Sequence, residues 1–230
     1  MILEICTPTI QSAINAQLGG AQRVELCANL REGGTTPSAA TILACKKHLT
    51  IPTFVLIRER GGDFCYSDLE VEVMLNDIIF CRENAVEGVV IGAITADKKI
   101  HEAHTKAMIA AAGNMQITFH RAFDRLENPY QALEILKKMN IHRILTSGQA
   151  ENAVSGIPIL KKLIEQADNQ LIIMPGAGIL PENMKQIVSE TGCKEIHFSA
   201  KKTIVSALGG EHWESDVAMV QEGIEVLRDL

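Results

Sequence analysis

Two cysteines share a Glu-x-Cys pattern in separate stretches of the chain. The first stretch contains Glu4 and Cys6, and the second contains Glu25 and Cys27. Each stretch is predicted to be a β-strand, in which alternate side chains share a face, so the glutamate and the cysteine of each pair point the same way. Neighbouring strands lie about 4.8 Å apart, which allows two thiolates to bind one soft cation. The pattern therefore predicts Cys6 and Cys27 as ligands of Cu(I).

The same four side chains have other interpretations. Free cysteines often act as small buried apolar residues with no role in binding. The carboxylates of Glu4 and Glu25 could form a close pair that divides the roles of general acid and general base. Alternatively, they could neutralise Arg58 or Arg60. The residues alone leave these alternatives open.

A second group of candidates follows the third apolar run of the sequence. Arg58 and Arg60 occupy alternate positions, and a Gly-Gly pair and Asp63 come directly after them. Converging guanidinium groups beside a flexible backbone are typical of a site that binds an anion. Further along the chain, His120 is the best candidate for a general acid or base by residue type, with a purely structural role as the alternative. Arg121 follows it directly.

Glycines and hydroxyl-bearing residues follow the last three predicted strands. In α/β barrels, glycine-rich backbone at this place commonly binds phosphate through its N–H groups. The alternative is that the glycines only shape tight turns before helices. The candidates for contact with an anionic or phosphorylated ligand here are Ser147, Gly148, Gly176, Gly178, His197 and Ser199.

The elements that must position these residues repeat along the chain. Short apolar runs recur at intervals of roughly 20 to 35 residues, with helix-length amphipathic segments between them. Eight such repeats in 230 residues favour a (β/α)₈ or TIM barrel with a single domain over residues 1–230. The eight predicted strands are Ile2–Cys6, Arg23–Cys27, Thr53–Arg58, Gly88–Gly92, Gln116–His120, Arg143–Ser147, Leu171–Pro175 and Glu195–Ser199.

Three further segments complete this prediction. A helix is predicted over Pro37–His48, with its proline in the first turn, and a last helix over Ser215–Arg228. The segment Ala200–Gly210 is predicted to be a long loop. Loops that follow barrel strands form the functional face, so the candidate residues are expected to meet there.

Composition and charge exclude several classes of protein. The net charge of −6 and the lack of a dense basic patch argue against nucleic acid as a partner. The start of the chain resembles a strand rather than a signal peptide, and no membrane contact is expected. Six cysteines without CxxC spacing are typical of free thiols in a cytoplasmic protein. The first predicted strand is not followed by a GxGxxG motif, so we expect no nucleotide cofactor.

Over essentially its whole length, the chain resembles the CutC family of copper homeostasis proteins. The resemblance is carried, in order, by Leu3–Cys6, Gly20–Cys27, Glu32–Ser38, Arg60–Phe64, Thr118–Asp124, Leu145–Gly148 and Met174–Gly176.

This resemblance implies a (β/α)₈ barrel, a cytoplasmic location, a homo-oligomeric assembly and a connection with copper. The family's proposed copper ligands would fall on Cys6 and Cys27. Three positions depart from the family pattern. Glu59 stands where proline is usual, Ala177 stands where glycine is usual, and Lys201 stands where arginine is common.

The sequence thus supports two hypotheses about function. In the first, the protein binds and handles Cu(I). In the second, it is a lyase, isomerase or hydrolase that acts on a small anionic or phosphorylated metabolite. Arg58, Arg60 and the loop of Gly176 would then bind the metabolite, while His120 or Glu4 would move protons. The resemblance favours the first hypothesis, and the polar residues at the predicted barrel mouth favour the second.

Overall fold

Eight parallel strands alternate with eight α-helices within residues 1–228 and 230, the part of the chain that the computed structural model describes. The parallel strands are β1 (Ile2–Thr7), β2 (Arg23–Leu26), β3 (Thr53–Leu56), β4 (Gly88–Ile91), β5 (Gln116–Phe119), β6 (Arg143–Thr146), β7 (Ile172–Pro175) and β8 (Glu195–Phe198). The helices are α1 (Ile10–Leu18), α2 (Ala39–His48), α3 (Asp68–Glu83), α4 (Glu102–Ala112), α5 (Pro129–Lys138), α6 (Ile157–Ala167), α7 (Pro181–Thr191) and α8 (Val217–Arg228). None of these helices combines the length and the apolar character needed to cross a bilayer.

The strands form one parallel sheet that is nearly closed. Hydrogen bonds connect them in the order β7-β6-β5-β4-β3-β2-β1-β8. Strands β7 and β8 lie side by side, although the ladder does not continue between them in the described residues. The predicted (β/α)₈ barrel is therefore confirmed, with the helices packed around the outside of the strands.

The alternation of side chains along β1 shows how the barrel separates two environments. Leu3 and Ile5 are fully buried in the core between strands and helices. Glu4 and Cys6 point into the barrel, as the alternation predicts, where they are also buried. A small apolar cluster fills part of the interior and consists of Cys6, Cys27, Phe54, Leu56 and Val90, with Leu30 packed against it.

A layer of charged side chains occupies the interior near the amino ends of the strands. Arg23 forms ion pairs with both Glu4 and Glu195. Arg143 Nε lies 2.9 Å from Glu195 Oε2. Both guanidinium groups pack over the ring of Phe54, at 4.8 and 5.0 Å from its centroid. Buried charges are tolerated when they are paired in this way, so charged side chains fill the barrel interior at this end.

Several of the predicted element boundaries differ from the structure. Helix α2 begins at Ala39, because the Ser38 hydroxyl caps it by accepting the Thr41 N–H, and Pro37 lies before the helix. The predicted loop Ala200–Gly210 contains a strand, β9 (Lys201–Val205), which pairs antiparallel with β10 (Glu211–Ser215). Gly209 and Gly210, each with φ of 87°, allow the turn between these strands. The last helix consequently begins at Val217, after this hairpin.

Candidate functional site

A cavity of about 950 Å³ lies at the carboxyl ends of the strands. Its walls come from the ends of the strands and from the loops that follow them, as in other barrels of this type. The sequence candidates that line it are Cys6, Glu25, Arg58, His120, Arg121, Gly178, His197 and Ser199.

The two predicted metal ligands are neighbours, with Cys6 in the cavity lining and Cys27 buried beside it. Cys6 Sγ lies 3.7 Å from Cys27 Sγ, and both side chains are buried. Cys6 Sγ also lies 3.8 Å from Glu25 Oε1. The hydrogen bond with Cys27, followed by burial, raises the pKa of the Cys6 thiol well above its ordinary value. This thiol therefore holds its proton at neutral pH.

His197 joins the thiols through its position at the end of β8. Its Nδ1 lies 2.7 Å from Glu4 Oε1, and one ligand atom each of Cys6, Glu25 and His197 lies within 4.8 Å of the others. Burial alone would lower the pKa of His197, but Glu25, Cys6 and Glu4 raise it well above its ordinary value. Nδ1 therefore donates its hydrogen to the Glu4 carboxylate.

Glu4 and Glu25, which lie on adjacent strands in the barrel interior, have pKa values that shift in opposite directions. Burial alone would raise the pKa of Glu4, but Arg23 and His197 lower it to about 2. Burial raises the pKa of Glu25 to about 7, opposed by His197 and assisted by Glu4. Within the described residues, Glu25 Oε2 has no hydrogen-bond partner. Glu25 can therefore gain and lose a proton near neutral pH, whereas Glu4 stays ionised.

The arginine that neutralises Glu4 is a different one from those that the sequence suggested. Arg23 opens β2 directly opposite Glu4 in the register of β1 and β2, and their side chains form an ion pair. The predicted pairing of Glu4 with Arg58 or Arg60 is therefore wrong, because both of those arginines lie beyond the end of β3. Arg23 follows the same period-two pattern as Glu25, which is the sequence feature that could have identified it.

Arg58 is buried in the cavity wall and is held by backbone carbonyls. Its Nη1 donates to Glu32 O at 3.0 Å and Gly34 O at 2.7 Å, and its Nη2 donates to Gly62 O at 2.8 Å. The guanidinium carbon lies 4.8 Å from the centroid of the Phe64 ring. Arg58 Nε has no hydrogen-bond partner in the part of the chain that the structure describes.

His120 lies on the same wall, directly after β5. Its Nδ1 accepts the Ala122 N–H at 3.1 Å, which leaves the hydrogen of the neutral ring on Nε2. Burial, together with the charge of Arg58, lowers the pKa of His120 to about 3, so the ring is neutral at pH 7. A Cβ on Gly92 would lie 2.5 Å from Cε1 of this ring, so the glycine at the end of β4 makes room for it.

Arg60 and Asp63 do not line the cavity, and Arg58 and Arg60 do not converge. Arg60 Nη1 lies 3.2 Å from Asp63 Oδ1, while its Nε is paired with Glu70. Its Nη2 donates to Cys65 O, which also lies outside the cavity lining. The strand ends at Leu56, so the alternation that would place both arginines on one face does not continue to them.

Ser147 and Gly148 serve mainly to position a loop. Asp124 accepts the Ser147 N–H at 3.1 Å and the Arg121 Nε–H at 2.8 Å, and it also bonds the hydroxyl of Thr146. The Thr146 hydroxyl in turn accepts the Gly148 N–H at 2.9 Å. Asp124 therefore ties the loop after β6 to the short 3₁₀ helix after β5. No pattern in the sequence predicted that Asp124 would connect these two segments.

The glycine-rich turn after β7 contributes unequally to the cavity. The Gly176 N–H donates to Thr146 O at 3.0 Å. A Cβ on Gly176 would lie 2.5 Å from Leu145 Cδ1, so a larger residue would collide there. Gly178, with φ of 66°, lines the cavity together with Ala177, whose φ is 81°. The N–H of Gly176 is thus committed to the sheet, and the exposed part of this turn begins at Ala177.

The fold and the site define a (β/α)₈ barrel protein whose interior cavity presents thiols, an imidazole and carboxylates at the carboxyl ends of its strands. The model of the CutC family matches residues 1–202. The chain belongs to the CutC family, and the resemblance noted in the sequence is confirmed.

Relatives and a solved structure agree with this assignment. The copper homeostasis protein cutC homolog of Homo sapiens is 44% identical over 218 residues, which cover 95% of this chain and 79% of the relative. A family protein CutC from Chromobacterium violaceum is 45% identical over 224 residues, covering 97% of this chain and 90% of that protein. The crystal structure of a CutC protein from Streptococcus agalactiae superposes with a TM-score of 0.83 at 32% identity, covering 86% of this chain and 98% of that one.

Proposed function

We propose that this protein binds Cu(I) through the sulfurs of Cys6 and Cys27, with His197 as a third ligand. The observation that carries the proposal is the 3.7 Å separation of the two sulfurs, together with the imidazole of His197 within 4.8 Å of Cys6. In a trigonal site with metal–sulfur bonds of about 2.3 Å, two sulfurs lie about 4 Å apart. The observed spacing therefore fits such a site with a small adjustment, and soft thiolates select Cu(I) over harder cations.

The side chains around these ligands support the same proposal. A histidine that binds a metal through one ring nitrogen usually donates the other N–H to a carboxylate, which fixes the orientation of the ring. Glu4 holds His197 Nδ1 in this way, and Arg23 holds Glu4. Because the pKa of His197 is raised, its second ring nitrogen must lose a proton before it can bind the metal.

Glu25 gives the site a group that can move a proton. Metal binding requires a cysteine to lose its proton. Glu25 Oε1 lies 3.8 Å from Cys6 Sγ, and the pKa of this carboxyl is about 7. Glu25 is therefore suited to accept the proton of Cys6, while its hard oxygen ligand makes it a poorer partner for Cu(I) itself.

The names of the relatives support a role in copper homeostasis, and the family resemblance suggests where this role is carried out. We include a cytoplasmic location and a homo-oligomeric assembly in the proposal. Both can be examined by cell fractionation and by light scattering of the purified protein.

The test is an anaerobic titration of the purified full chain with Cu(I), in competition with a chromophoric Cu(I) chelator. We expect about one tightly bound ion per chain. Cys6→Ser and Cys27→Ser should each weaken the affinity by at least about 100-fold, since even changes in the groups around a metal's ligands cost 10- to 100-fold. Cys65→Ser is the matched control, because Cys65 is a free cysteine that is not among the three proposed ligands.

Folding of each variant is checked by circular dichroism before the titration. Wild-type affinity in a Cys6→Ser/Cys27→Ser double variant that folds would disprove the proposal. Loss of binding in Cys65→Ser would contradict the assignment of the ligands. X-ray absorption of the loaded protein should show two sulfur neighbours and one nitrogen neighbour.

A further inference from the structure

We infer that the same cavity contains a second ligand site, formed by Arg58 and His120, that binds the carboxylate or phosphate group of a small organic anion. This site uses none of the three proposed copper ligands. The inference therefore goes beyond copper binding and stands on separate observations.

The first observation is a buried cation without a counter-charge. Arg58 is 4% exposed, and its Nη atoms bond only to neutral backbone carbonyls. Among the described residues, its guanidinium donates no hydrogen bond to a carboxylate, and its Nε has no acceptor. Burying a charge is costly unless the charge is paired and hydrogen-bonded. An anion that reaches Arg58 would supply both the missing charge and the missing acceptor.

The second observation is a buried neutral donor on the same wall. His120 is 5% exposed, and its Nε2–H has no acceptor among residues 1–228 and 230. Both groups pack against the Phe64 ring, whose centroid lies 4.8 Å from the Arg58 guanidinium carbon and 4.8 Å from the centroid of the His120 ring. An oxyanion that accepts hydrogen bonds from both groups would satisfy them at once, as charge-assisted bonds do in other anion sites.

The rest of the cavity restricts the ligand. A volume of about 950 Å³ suits a small molecule. Acidic side chains also line the cavity, among them Glu25, Glu32 and Asp124. Arg121, Arg125 and Lys201 line it as well, so the lining carries charges of both signs. The acidic groups offer acceptors to hydroxyl or amino groups. The site therefore suits a small metabolite with an anionic group and polar substituents elsewhere.

The experiment measures anion binding to the metal-free full chain by thermal shift and by isothermal titration calorimetry. The probes are inorganic phosphate, glycerol phosphate and lactate, with uncharged glycerol as the control ligand. We expect at least one anion to raise the melting temperature in a dose-dependent and saturable way, and glycerol to have no such effect. Comparing glycerol phosphate with lactate shows whether the site prefers a phosphate or a carboxylate.

Three variants locate the site. Arg58→Lys should weaken anion binding by at least about tenfold, because lysine cannot reproduce the fixed donor geometry of arginine. His120→Asn should weaken it about three- to tenfold, since asparagine can still accept the Ala122 N–H but lacks the donor at Nε2. Arg60→Lys is the matched control outside the cavity and should leave the affinity unchanged.

The inference is overturned when no probe anion binds, or when Arg60→Lys weakens binding as much as Arg58→Lys. If Arg58→Lys does not fold, His120→Asn decides the question, and unchanged anion affinity in that variant overturns the site. The Cys6→Ser/Cys27→Ser variant should bind anions as the wild type does. Failure of the copper proposal and failure of the anion site are therefore distinguishable.

Discussion

Neighbouring side chains, more than residue type, decide the chemistry of the interior residues. Glu4 and Glu25 are both buried glutamates on adjacent strands. Glu4 has Arg23 beside it and a pKa of about 2, whereas desolvation dominates at Glu25 and raises its pKa to about 7. The same residue type thus provides a permanent anion that orients His197 and a carboxyl group that can exchange a proton near pH 7.

His120 is predicted to make the protein less stable in weak acid. Its pKa is lowered from 6.5 to about 3 by burial and by Arg58. Below pH 6.5 the unfolded chain therefore binds a proton that the folded protein does not accept until about pH 3. As the pH decreases across this window, the free energy of unfolding therefore decreases by up to about 1.4 kcal/mol per pH unit.

The variant His120→Asn should remove this contribution. We expect the loss of stability between pH 7 and pH 5, measured by urea unfolding, to be about 2 kcal/mol smaller in this variant than in the wild type. His48→Asn, at an exposed position in α2, is the control and should keep the wild-type pH dependence. Equal pH dependence in His120→Asn and the wild type would show that the ring is not held neutral.

The residues of the two proposed sites come from the strands and from the segments that follow them. The strands fix the positions of Cys6, Glu25 and His197, while Arg58 and His120 come just after strand ends. The turn after β7 illustrates the conformational cost of such segments. Ala177 has φ of 81°, a left-handed conformation in which a Cβ is strained.

Ala177→Gly is expected to stabilise the protein by up to about 1 kcal/mol. The gain comes from release of backbone strain, and the greater flexibility of glycine in the unfolded chain offsets part of it. Urea unfolding at pH 7 measures the change. Ala110→Gly, at an exposed position in helix α4, is the matched substitution with the opposite sign and should cost about 0.5–1 kcal/mol. A comparable loss at both positions would argue against strain at Ala177.

On the scale of the whole molecule, the barrel and the β9–β10 hairpin differ in how they are held. The match to the family model ends at residue 202, so most of the hairpin lies beyond it. Its tip is exposed, with Leu208 fully accessible to solvent. Its base is attached to the barrel, because the Arg31 guanidinium packs over the Trp213 ring and the Ser215 N–H donates to the Ser12 hydroxyl.

Shortening the hairpin should leave the barrel intact. Replacing residues 204–212 with an Asn-Gly dipeptide joins Thr203 to Trp213, which are paired in the register, through a two-residue turn that Asn-Gly favours. We expect the free energy of unfolding to change by less than about 1 kcal/mol, because exposed residues contribute little. Thermal unfolding measures this change, and a loss above about 2 kcal/mol would show that the hairpin stabilises the barrel.

The sequence by itself determined the eight βα repeats, because short apolar runs and amphipathic helices are properties of short segments. It also placed Glu4, Cys6, Glu25 and Cys27 inside the barrel, since side chains in a strand alternate in direction. The β9–β10 hairpin escaped this reasoning because its largely exposed residues leave no burial pattern to detect.

Only the tertiary structure decided which groups meet. Arg23 pairs with Glu4 and Glu195, residues from opposite ends of the chain, because the strand order places β1 between β2 and β8. Arg58 and Arg60 separate because the chain leaves the strand before it reaches them. Contacts of this kind depend on the register of strands and the paths of loops that are distant in sequence. No local pattern of residues encodes them.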